Sequence, residues 1–152
     1  MNGPGTEQEQ HLEAFRRLIE EGFSQGKVSV VEELCADDFV EHQHGIEPPN
    51  REGLKGAIAF LHRLSPDIVV TIEDSAVSGD QVWARLAARG THGGDVLGGP
   101  TGRPFEITVM DLCRFRDGKI SEHWGVADRF SQMQQLGVIP GSGRPASVAG
   151  VS

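Results

Sequence analysis

Tyrosine is absent from this 152-residue chain, so no phenolic hydroxyl can act as acid, base or hydrogen-bond donor in any chemistry the protein performs. Cysteine is scarce. Cys35 and Cys113, the two present, fit no metal or redox spacing and read as free, buried thiols. Cations are outnumbered, with 14 Lys and Arg against 22 Asp and Glu and a formal charge of −8. A surface that acidic repels phosphates, which argues against nucleic acid and anionic membranes as partners. Apolar runs are only a few residues long, too short to cross a bilayer as a helix. The segment from Met1 to Gln10 lacks the basic and apolar regions of a secretory leader, so a cytoplasmic location is expected. Two further motifs are missing. Gly93-Gly94 and Gly98-Gly99 have neither the Lys-Ser/Thr nor the following helix of a phosphate-binding loop. No Gly-x-Ser-x-Gly elbow supports serine hydrolysis.

What is present suffices for one core: 38% of residues are hydrophobic, in a chain the length of one domain. Residues 7–26 place Leu12, Phe15, Leu18, Ile19 and Phe23 at helical spacing, and Gly26 ends the run. A second helix starts near Ser29, with Glu32 at capping-box spacing. It leads into Cys35-Ala-Asp-Asp-Phe-Val-Glu-His-Gln-His44 and a Gly/Pro loop. Asn50 caps a third helix whose face carries Leu54, Ala57, Ile58, Leu61 and Leu64, and Ser65-Pro66 stops it. The period then drops to two. Strands are expected over 68–77, 81–89, 105–115 and 119–128, the first two joined by a Gly79-Asp80 turn. A short helix over 129–136 follows. Residues 7–139 therefore make the folded domain, with flexible ends at 1–6 and 140–152. The class is α+β: three N-terminal helices on a curved antiparallel sheet, with a cavity between them.

The turn Phe115-Arg-Asp-Gly-Lys119 sets the register of the last two strands. A three-residue loop with Gly118 as bulge residue pairs Phe115 with Lys119, Cys113 with Ser121, Asp111 with His123 and Val109 with Gly125. Asp111 and His123 then form a direct cross-strand pair, while Ile120, Met110, Leu112, Trp124 and Val126 face the other way. A two-residue turn would set Asp111 against Trp124 and separate the pair. A carboxylate among Ile107, Val109 and Cys113 is poorly solvated and suited to proton transfer near neutral pH; a purely structural Asp–His pair is the competing reading. His42 and His44 suit the rim of a pocket, where they orient a substrate carbonyl; they have no third partner at motif spacing, so no metal site is expected. His92 lies at a strand end among glycines that let backbone approach a ligand, or simply turn the chain. His11 and His62 are expected at the surface or boundary of helices. Phe15, Phe39, Phe60, Trp83 and Val109 are the apolar groups proposed to line the cavity. Asp128 is read as the cap of the last helix.

Three stretches resemble a known family: Ser65-Pro-Asp-Ile-Val-Val-Thr-Ile-Glu-Asp74, Gly90-Thr-His-Gly-Gly-Asp-Val-Leu-Gly-Gly-Pro-Thr-Gly102 and, most closely, Asp111-Leu-Cys-Arg-Phe-Arg-Asp-Gly-Lys-Ile-Ser-Glu-His-Trp124. They resemble the SnoaL-like polyketide cyclases, a branch of the nuclear-transport-factor-2-like superfamily, over residues 8–139. The resemblance implies a cone-shaped α+β barrel with a deep central pocket, a homodimer or larger homo-oligomer, and neither metal nor organic cofactor. It also implies closure of an aromatic polyketide ring by intramolecular aldol chemistry on an aspartate. In the family that aspartate follows the Trp of Glu-His-Trp. Here the position is Gly125, and Asp111 faces it from the preceding strand. The missing tyrosine separates the chain from ketosteroid isomerases, scytalone dehydratases and limonene epoxide hydrolases, which place tyrosine hydroxyls on substrate or water. Together these features lead to an enzyme for an apolar, carbonyl-containing small molecule, with Asp111 as base and His123, helped by His92 or His44, bonding the developing oxyanion. The alternatives are a non-catalytic small-molecule-binding or oligomerisation module, and an epoxide or ester hydrolase in which Asp111 and Asp128 activate water.

Overall fold

The computed structural model describes residues 5–141; most of the two expected flexible ends, residues 1–4 and 142–152, lies outside them. α1 (Glu7–Arg17) begins with a capping box. Thr6 Oγ1 accepts from the Glu9 N–H, and the Glu9 carboxylate accepts from the Thr6 N–H. Each satisfies a donor the helix leaves free. The expected single helix changes its winding at Leu18 and runs on to Ser24 as π-helical turns. Phe15, Leu18 and Ile19 face the core. So does His11, which the sequence places at a boundary: it is 3% exposed and stacks on Phe115 at 4.3 Å.

α2 (Ser29–Leu34) has Val28, not Ser29, at its cap position and no side-chain cap bond. Glu32, expected to complete a capping box, pairs instead with Arg51 and Lys55. In α3 (Arg51–Leu64), Asn50 Oδ1 accepts from the Gly53 N–H at 3.2 Å, and Leu54, Ile58 and Leu64 are fully buried.

The strands β2 (Val69–Ser78), β3 (Gln81–Thr91), β4 (Pro104–Arg116) and β5 (Lys119–Ala127) form the expected meander. One strand is new. Cys35–Glu41, here β1, lies parallel to β5 and gives a five-stranded sheet in the order β1-β5-β4-β3-β2. The sheet is thus mixed rather than wholly antiparallel, and it remains open. The helices lie against its inner face. α4 (Arg129–Gln135) follows β5, capped as expected by Asp128 Oδ1, which accepts from the Ser131 N–H at 3.1 Å. Among the described residues no helix is long and apolar enough to cross a membrane.

The β4–β5 hairpin differs from expectation twice, and together the differences keep Asp111 and His123 on one face but replace their direct pairing by a two-residue offset. Its turn has two residues, not three: Arg116 pairs with Lys119 around Asp117 (φ +52) and Gly118 (φ +76). Positive φ at both positions is the type I′ geometry that Asp-Gly favours. That register, left uninterrupted, sets Asp111 opposite Trp124. A bulge at Ser121 shifts it by one. Phe115 pairs with Ile120, but Arg114 pairs with Glu122, Cys113 with His123 and Asp111 with Gly125. Ser121 Oγ donates to the Arg114 carbonyl at 3.1 Å, fastening the bulge. Ile120, expected on the outer face, is consequently fully buried in the core. Asp111 and His123 end up diagonal to one another on the inner face, a spacing within reach of longer side chains.

Candidate active site

Three buried titratable side chains meet where β1, β5 and β4 run side by side. Glu41, from the end of β1, sets both carboxylate oxygens 2.8 Å from His123 Nδ1. His123 Nε2 in turn stands 3.2 Å from Asp111 Oδ1. The contact is close enough for an ion pair but off the line of a hydrogen bond, so Asp111 Oδ1 and His123 Nε2 are both buried without a bonded partner. All three side chains are at most 4% exposed.

Burial opposes charge on this imidazole, yet Asp111 and Glu41, through charge and hydrogen bonding, outweigh it and raise the His123 pKa to about 10. At neutral pH the ring is therefore an imidazolium. With Nδ1–H donating to Glu41, its Nε2–H faces Asp111. Gly125 belongs to the same unit. A Cβ there would lie 2.2 Å from Gln43 Oε1 and 2.8 Å from Asp111 Oδ1, so Gln43 and the Asp111 carboxylate together fill the space a side chain at 125 would take.

Asp111 and His123 open into a cavity between the helices and the sheet. Its walls are mostly apolar, with Ile19 and Phe23 from the first helix, Leu61 from α3 and Leu86, Ile107 and Val109 from the sheet. Gln43, Arg129 and Gln132 supply the remaining polar lining. A few converging polar groups in an apolar cavity suit a small organic molecule whose polar atoms must be oriented.

The sequence profile of the SnoaL-like polyketide cyclases matches residues 13–136. The chain belongs to this family. A candidate polyketide cyclase from Bacillus cereus is 31% identical, over 86% of this chain and 82% of its own, with a TM-score of 0.75. IdmH, a candidate polyketide cyclase from Streptomyces antibioticus, is 38% identical, over 84% of this chain and 99% of its own, with a TM-score of 0.75. A SnoaL-like protein from Jannaschia, at 24% identity and a TM-score of 0.79 over 92% of this chain and 100% of its own, shows likeness of fold alone. Among curated proteins no match is found.

Of the residues proposed from the sequence for a SnoaL-like site, Asp111, His123 and Val109 line the cavity. The structure places the others elsewhere. His92 is buried, but both its ring nitrogens serve its own loop, 2.9 Å from Thr101 Oγ1 and 2.6 Å from the Val96 carbonyl. It organises the glycine-rich excursion and is not among the residues lining the cavity. His42 points to the outer face, stacked on Trp124 at 4.3 Å with Nε2 2.8 Å from Glu122. His44 and Phe60 border not the cavity itself but an outer surface depression that adjoins it at Ile46, Ala57 and Arg129. Phe15 and Phe39 are core residues, and Trp83 is 49% exposed on the outside of the sheet. Asp128, invoked for hydrolysis, is occupied as a helix cap. Among the described residues no group of three or more His, Cys, Asp or Glu could hold a metal ion.

Glu41, Gln43, Arg129 and Gln132 are absent from the sequence-based set. Glu41 had a signal. Strand alternation from Phe39 puts it on the inner face, and an acid there demands a partner. For Arg129 and Gln132 the sequence offers only their place after the Asp128 cap.

Proposed function

We propose that the protein performs proton-transfer chemistry on an apolar carbonyl compound of the polyketide type, with Asp111 as the base and His123 as the oxyanion donor. The pair of buried, unbonded atoms, Asp111 Oδ1 and His123 Nε2, facing a mostly apolar cavity carries this proposal. Each lacks a partner that a substrate can supply. Asp111 takes a proton from the carbon next to a carbonyl. The C–H electron pair becomes the enolate double bond while negative charge gathers on oxygen, where the His123 N–H donates. Attack of the enolate carbon on a second carbonyl of the same molecule forms the ring bond, and the proton on Asp111 passes to the new alkoxide. Glu41 keeps the imidazole charged and its Nε2–H turned toward Asp111 on the cavity wall.

Positioned acid–base catalysis contributes about 10²–10⁴-fold. Uptake of deuterium at the α-carbon of 2-tetralone in D2O, followed by proton NMR, reports the first step. The protein accelerates exchange above the buffer rate, and Asp111→Asn lowers the acceleration by about 10²-fold or more. Equal exchange with both proteins, or none with either, refutes Asp111 as the base.

A second proposal concerns assembly. The outer sheet face exposes Trp83, Met110 and Val126 at 49%, 51% and 72%; Met110 pairs directly with Val126, and Trp83 lies opposite Leu112, the next outward residue of β4. We assign this apolar face to a homodimer contact.

A further inference from the structure

Arg129 is the one Arg or Lys among the described residues of the cavity lining, and it lines the outer depression as well. Ile46 and Ala57 are common to both, so the two spaces adjoin where Arg129 stands. This chain has acids in excess, 22 against 14 cations, and Arg17, Arg51, Arg85 and Arg114 each hold one. Arg129 holds none among the described residues. Its one side-chain hydrogen bond among the described residues is long, 3.4 Å, from Nη1 to Oε1 of Gln132, itself 1% exposed and part of the cavity lining. Glu47 across the outer depression makes no ion pair with it. Partial burial lowers the guanidinium's pKa, and no neighbouring carboxylate offsets that loss. The Arg129 side chain stands beside apolar walls yet reaches solvent, so its fork, unfilled by any acid among the described residues, is open to an anion from outside.

We infer that Arg129 binds a carboxylate carried by the substrate, at the junction of the cavity and the outer depression and apart from the carbon that Asp111 deprotonates. The planar fork of five N–H donors matches a carboxylate's two oxygens, a fit that an ester lacks. The substrate class narrows accordingly to a polyketide acid. It enters with its apolar body among Phe23, Leu61 and Val109 and its carboxylate on Arg129. This inference rests on the cavity being the substrate site proposed above.

Calorimetric titration of the full chain with 2-naphthylacetate and with its methyl ester tests it. The acid binds about tenfold or more tightly than the ester, although a protein of charge −8 repels anions overall. Added salt weakens the acid and spares the ester. Arg129→Gln abolishes the acid's advantage, and Arg129→Lys retains it in part. Equal affinity for acid and ester in the wild type overturns the inference, as does an advantage that survives Arg129→Gln or the absence of binding by either compound. If Arg129→Gln does not fold, the wild-type ratio and its salt dependence decide. Binding is read without turnover, so loss of acid preference here and loss of exchange in Asp111→Asn are separate failures.

Discussion

Burial alone would strip His123 of its proton; Asp111 and Glu41 reverse that outcome and set its pKa at about 10. In the unfolded chain the ring titrates near about 6.5. A group whose pKa is higher in the folded state stabilises the fold fully below the unfolded value, and that contribution is lost as pH rises through the folded one. Melting temperature should therefore fall between about pH 6.5 and the folded value of about 10. Glu41→Gln removes one of the two stabilising carboxylates and keeps the shape, so the upper end of this window moves to lower pH. A melting profile identical to wild type would show that Glu41 does not hold the proton on His123. The cysteines illustrate the opposite balance. Burial, opposed by no net positive surroundings, pushes the Cys35 thiol up to about 12 and Cys113 well above its ordinary value, which leaves both unreactive.

Among the elements, the β4–β5 hairpin decides whether a site exists. Asp117 and Gly118 both lie at positive φ, and a left-handed conformation costs a non-glycine residue about 1–2 kcal/mol. Gly118→Ala should lower unfolding free energy by about 1 kcal/mol in urea, with an unchanged slope. No loss would mean that the turn changes form. The Asp111–His123 pair was legible because strand alternation and the Asp-Gly turn both show in the sequence. The route was not. A two-residue turn plus a bulge places side chains on the same faces as a three-residue loop, and local sequence barely separates them. β1 was missed for a related reason. A strand added in parallel to a distant β5 leaves no hairpin signal, and the acids Asp37, Asp38 and Glu41 obscure its alternation.

At the scale of the whole molecule, the outer sheet face carries exposed Trp83, Met110 and Val126, which the core does not explain. A stable pairing through this face buries upwards of about 1,000 Å² in total. Sedimentation velocity at micromolar concentration should give a dimer, and Met110→Glu combined with Val126→Glu should give a monomer. A monomeric wild type would remove the dimer proposal. The mouth of the cavity lies between helices and sheet rather than on this face, so pairing through it leaves substrate entry open.

The sequence by itself determined the α+β class, the helices and the meander, because hydrophobic period, caps and turn residues act over a few neighbouring positions. It also placed Asp111 and His123 on one buried face. Only the tertiary structure decided what surrounds them: Glu41 behind the imidazole, Gly125 yielding its space to Gln43 and the Asp111 carboxylate, His92 withdrawn into its loop and Arg129 at the junction with the outer depression, with no acid partner among the described residues. Those relations join residues up to 82 positions apart, and chain folding alone brings them within reach of one another.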